Sequence, residues 1–133
     1  MEIKLFVLFI MVLAHIIADF NIQNDVIAKF KCKDFWKNNY PDKLYRYDYI
    51  IVLFIHGFTW SIIVSLPLIV YGFIYFGNGA NYNILLQILF HTAFHAWIDN
   101  AKANLKEINL IQDQILHLLQ VVLIWSIYIL GWR

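Results

Sequence analysis

All five histidines of this 133-residue chain lie in strongly apolar stretches, and four share a helical face with a carboxylate or carboxamide. His15 and Asp19 are four residues apart. Gln87, His91, His95 and Asp99 repeat every four, and Asp113 precedes His117 by four, with Gln120 three beyond. Four-residue spacing stacks side chains one above the next on a single helical face. Neutral imidazoles beside carboxylates are a ligand set for zinc, non-haem iron or manganese, and neighbouring carboxylates fix histidine tautomers. The expected cofactor is therefore a divalent metal ion, zinc first, with His15, His56, His91, His95 and His117 as candidate ligands. Asp19, Asp99 and Asp113 are the candidate catalytic groups, as further ligands or as general base to an activated water. Gln23, Lys102 and Gln114 fall at the mouth of such a site and are candidates for touching substrate. Lys102 continues the stripe beyond Asp99, where it suits either neutralising that carboxylate or holding a phosphate. The alternative is that these groups only hydrogen-bond across helices.

The elements that must position these residues are apolar helices. The chain is 62% hydrophobic and 14% charged, against roughly 45–50% and about 25% in soluble domains. So small a soluble domain has too much surface for its volume to hide that much apolar area. The reading is an all-α membrane protein: a single domain, 1–133, forming a four-helix transmembrane bundle. Its helices cover approximately 3–22, 49–76, 82–100 and 110–132, each near the roughly 20 residues that a bilayer core requires. A cleaved signal peptide is the competing reading of the first run, but no small-residue cleavage site follows it. Pro67 is a candidate kink in the second helix, and Gly77 to Asn81 has the composition of a turn. The single Cys32 excludes an intramolecular disulfide. Net charge is +1, and nothing points to nucleic acid.

Basic residues set the expected orientation. Lys29, Lys31, Lys33, Lys37, Lys43, Arg46, Lys102 and Lys106 lie on one side, and only Lys4 and Arg133 on the other. This bias places both long connections in the cytoplasm and both termini outside, in a multi-pass protein of the cell inner membrane. The connection 24–47 interleaves its lysines with Val26, Ile27, Phe30, Phe35, Trp36 and Tyr40. It reads as a basic interfacial segment against anionic lipid, helical up to Pro41, or else as a solvated loop with anchoring aromatics. At 1.5 Å per residue, His15 lies roughly 12 Å from the cytoplasmic end of its helix, His56 and His117 about 10 Å, His95 about 7 Å and His91 about 13 Å. The histidines thus fall in one layer of the cytoplasmic half, with the aspartates expected as a second layer nearer the cytoplasm.

The pieces His15-x3-Asp19-Phe20-x2-Gln23, His91-x3-His95-x3-Asp99-x2-Lys102 and Asp113-Gln114-x2-His117, with His56 between the first two, carry a resemblance. The chain resembles the small bacterial and phage membrane proteins grouped as the domain-of-unknown-function family numbered 3307. The resemblance implies a polytopic membrane protein and brings no activity, substrate or cofactor with it. From the residues, the leading expectation is a metal-dependent hydrolase at the cytoplasmic leaflet, with a phosphate-bearing or anionic lipid substrate suited to the basic rim. A proton or ion transporter is the second expectation, followed by a haem-binding bundle and then a phage holin. Four short helices enclose little volume, which leaves a homodimer completing the site as an open alternative.

Overall fold

The computed structural model describes residues 2–77 and 82–131, and among them no strand occurs. Helix α1 covers Glu2–Ile16 and continues without a break into a π-helical turn, Ile17–Ile22. Two short helices follow, α2 (Asp25–Phe30) and α3 (Lys33–Asn39), then a single 3₁₀ turn at Lys43–Tyr45. Helix α4 is the longest, Asp48–Phe76, and α5 spans Tyr82–Asn100 before a second π-helical turn, Ala101–Leu105. Helix α6, the last described element, spans Leu110–Gly131. The Asn78–Asn81 part of the expected turn and the last residues, Trp132 and Arg133, lie outside the described residues.

Local chemistry explains the boundaries. Asn24 caps α2 by accepting a hydrogen bond from the Ile27 amide, satisfying one of the donors a helix start leaves free. Helix α3 ends at Asn39, just before Pro41, whose ring disfavours helical backbone in the residue preceding it. Gly77 closes α4 with φ of +68°, a left-handed cap that glycine adopts without steric cost. Pro67 lies inside α4, yet the helix runs through it to Phe76.

Helix α4 packs against α5 and α1, and α6 packs against both α1 and α5. Gly57 permits the closest approach: a Cβ there would stand 2.8 Å from the Thr92 carbonyl oxygen of α5. Met11, Trp60, Val64, Leu68, Val121 and Ile124 are fully buried between the helices. The outward faces are apolar as well, with Phe6, Ile74 and Ile111 more than half exposed. Among the described residues, three stretches are long and apolar enough to cross a membrane: Glu2–Ile22, Lys43–Phe76 and Leu110–Leu130. Helix α5 was expected to be a fourth and is not among them. Gln87, His91, His95, Asp99 and Asn100 lower its hydropathy, and these are the residues that give it chemical interest.

Between α1 and α4 the segment 24–47, expected to be helical up to Pro41, is helical in two short pieces that break at Lys31 and Cys32. Its aromatics pack on one another: Phe30 against Phe35 at 4.9 Å and Trp36 at 5.3 Å between ring centroids, and Tyr40 against Tyr45 at 5.5 Å. The Trp36 indole donates to the Phe30 carbonyl. Asn104, in the π turn after α5, ties this segment to the main body, donating to the Lys31 carbonyl and accepting from the Lys33 amide.

Candidate metal centre

Three helices and the end of α1 deliver imidazoles and carboxylates to one buried cluster. Its centre is the Asp99 carboxylate. Oδ2 lies 3.5 Å from His56 Nε2 and 3.8 Å from His95 Nε2, and Oδ1 lies 3.5 Å from His117 Nε2. Asp19 enters from the π turn, its Oδ1 at 3.7 Å from His56 Nε2 and 4.0 Å from His95 Nε2. Asp113 Oδ1 approaches His117 Nε2 from the other side, at 3.5 Å. Two overlapping triads result, Asp19–His56–His95 and His95–Asp99–His117, each with its donor atoms within 4.8 Å of one another.

These separations carry the chemistry. Direct N–H···O hydrogen bonds run about 2.7–3.2 Å, and the gaps here are longer. Two ligands bound at about 2.0–2.2 Å to one tetrahedral ion stand roughly 3.4 Å apart, close to what is seen. Asp19 Oδ1, His56 Nε2, Asp113 Oδ1 and both ring nitrogens of His95 and His117 are buried without a hydrogen-bond partner. Burying such a group unpaired costs about 1–3 kcal/mol, so a concentration of them in one place calls for an occupant.

The surrounding contacts orient the cluster. Trp60 is wholly buried, stacks on the His95 ring at 4.5 Å and donates its indole N–H to His15 Nδ1 at 3.0 Å. The His95 and His117 rings stack at 4.1 Å. Lys31 leaves the connection and extends inward to 4% exposure, donating to Asp99 Oδ2 at 2.8 Å and Gln23 Oε1 at 2.7 Å. Lys102 pairs with Asp113 Oδ2, and the Gln114 amide reaches both Asp113 and Asp19. Both π turns lie at this level, one carrying Asp19 and the other Lys102. Such widened turns re-aim side chains and recur at functional sites.

Several expectations need correction. The histidines and aspartates do not form two strata, because carboxylate oxygens interdigitate with imidazole nitrogens. Lys102 meets Asp113 rather than Asp99, and Asp99 is met by Lys31. His91 stands apart from both triads: the Gln120 amide donates to its carbonyl at 2.9 Å and lies 3.2 Å from Nδ1. His15 is also outside both triads, accepting from Trp60 and lying 3.6 Å from Asp19. Sequence reasoning missed Lys31 and Trp60. Trp60 follows His56 by four, so the stripe that marks the other helices marks it too. Lys31 is one lysine among many, with no local signal.

Over the described residues, fold and site define an all-helical protein with three helices fit to cross a membrane and a buried histidine–aspartate cluster. Residues 7–132 match the family described as protein of unknown function (DUF3307), and the chain belongs to that family. No curated protein and no solved structure matches it.

Proposed function

We propose that the chain is a four-helix membrane protein whose cluster binds a divalent metal ion, zinc first, and hydrolyses a phosphate-bearing or anionic lipid substrate at the cytoplasmic leaflet. The observation carrying this reading is the set of buried, unpartnered imidazole and carboxylate atoms 3.5–4.0 Å apart. His56, His95, Asp19 and Asp99 are the residues that would hold the ion, and a metal ion with a coordination place left open supplies Lewis acidity and a water acidic enough to deprotonate near neutral pH. Asp113 and His117 stand beside them, 3.5 Å apart. The exposed apolar faces suit lipid, and α5, too polar to face it all round, would turn its stripe inward.

Two features support the substrate class. A cavity of about 80 Å³ between the first π turn, α2 and α4 is lined by Ala18, Ile22, Ile27, Val52, Ile55 and Thr59, with His56 and Trp60 in its wall. It offers an apolar chain a sideways approach to the cluster. A second cavity, of about 350 Å³, is lined by Lys33, Lys37, Lys43 and Arg46 with Trp36 and Tyr40, against one carboxylate, Asp42. Four cations to one anion suit a phosphate headgroup.

One contact favours proton or ion transport as a second reading, since His91 and Gln120 carry polar contact a turn beyond the cluster. Beyond them Met11, Val64, Leu68, Val121 and Ile124 fill much of the core, with the buried hydroxyls of Ser61, Ser65, Tyr71 and Tyr128 among them; hydrolysis ranks first on the unpartnered imidazole and carboxylate atoms of the cluster. The test is elemental analysis of the detergent-purified chain, with thermal unfolding in the presence and absence of a chelator. Bound metal and a lower Tm on chelation are expected. Metal-free protein with an unchanged Tm overturns the metalloenzyme and leaves the relay.

A further inference from the structure

We infer that the cluster is built for two divalent ions bridged by the Asp99 carboxylate, a pair that takes a phosphate ester; this rests on the metal reading above. The two oxygens of Asp99 face different partners. Oδ2 faces His56 and His95, and Asp19 Oδ1 completes that side, with cross-distances of 3.5, 3.7, 3.8 and 4.0 Å. Oδ1 faces His117, whose Nε2 lies 3.5 Å from both Asp99 and Asp113.

A tetrahedral ion takes four ligands, and the first side already offers four. The second offers three, leaving a coordination place open, which is how catalytic metal positions differ from structural ones. The side chains are buried to match: His95 and His117 are 0% exposed, Asp113 0% and Asp99 2%. Both ring nitrogens of His117 lack partners, so the second side is no more satisfied than the first. A bridging carboxylate holds its ions about 3.5–4 Å apart, the spacing with which paired metals clamp attacking and leaving oxygens in phosphoryl transfer.

Charge selects the substrate. Three carboxylates, Asp19, Asp99 and Asp113, meet two lysines, Lys31 and Lys102. Two divalent ions would leave the site three positive charges in excess. A dianionic phosphate ester reduces that excess, whereas a neutral ester or amide does not. Lys31 can keep its bond to Asp99 Oδ2 with the ion in place, because a carboxylate oxygen has two lone pairs.

Manganese reports both number and bridging. Equilibrium dialysis of the full chain in detergent against Mn²⁺ should give two ions per chain, with an exchange-coupled paramagnetic resonance spectrum. His117→Ala should bind one ion and show the six-line signal of isolated Mn²⁺. If that variant does not fold, Asp113→Asn replaces it, and the wild-type stoichiometry decides on its own. One ion in the wild type, or two uncoupled ions, overturns the bridged pair and leaves a single-metal hydrolase standing. No ion overturns both readings. Adding inorganic phosphate should perturb the coupled spectrum, and an unchanged spectrum overturns the phosphate assignment.

Discussion

Lys31 is held by two side chains from different parts of the molecule, Gln23 at the end of the first helical run and Asp99 at the end of α5. A buried ion pair is a weak source of stability as a pair, since desolvation offsets much of the attraction. Losing one partner is different, because the other charge then remains buried and uncompensated. Lys31→Met should therefore destabilise the metal-free protein by about 3 kcal/mol. It should lower Tm in chelator more than in saturating Zn²⁺, where the ion takes over the neutralisation of Asp99. An equal loss in both conditions would mean that no cation other than Lys31 ever reaches that carboxylate. Trp60 acts at the same scale, its ring covering one face of His95 while its N–H fixes His15.

Among the elements, the α4–α5 contact sets the depth and angle of His56 and His95. Gly57 allows that contact, and its neighbour in sequence is His56 itself. Replacing Gly57 by Ala would bring Cβ to 2.8 Å from a backbone oxygen that cannot rotate away, so the two helices must separate. The expected cost is about 1–3 kcal/mol, with weaker metal binding, because 3.5–4.0 Å gaps leave little room for displacement. Calorimetric titration with Zn²⁺ and thermal unfolding in detergent measure the two effects. A variant that lost stability but kept wild-type affinity would show that the cluster tolerates helix movement. The π turns belong to this scale too. Each widens a helix at the level of the cluster, bringing in Asp19 from one side and Lys102 from the other.

For the molecule as a whole, the proposed orientation in a membrane rests on the basic asymmetry of the chain and its outward apolar faces. Cys32 tests it, being a single thiol in the connection between α2 and α3. Its Sγ donates to the Ala28 carbonyl, and burial pushes its pKa up. The reactive thiolate is therefore scarce at neutral pH, and labelling should accelerate as pH rises. A charged, impermeant maleimide should miss Cys32 in intact cells and reach it after permeabilisation. Labelling from outside would reverse the orientation and place the basic cavity on the opposite face.

The helices, their polar stripes and the convergence of His15, His56, His95 and His117 were legible in the chain, because hydropathy and four-residue spacing are local properties. Tertiary structure decided which polar groups meet. Asp99 takes Lys31, 68 residues away, rather than Lys102 three residues on, because partner choice depends on how an incoming segment docks. His91 shares a stripe with His95 yet turns to Gln120, since a stripe is wider than the line along which two helices touch. The π turns escaped the periodic pattern for a related reason. They add backbone width without changing residue order, and only packing against neighbouring helices reveals where the displaced side chains go.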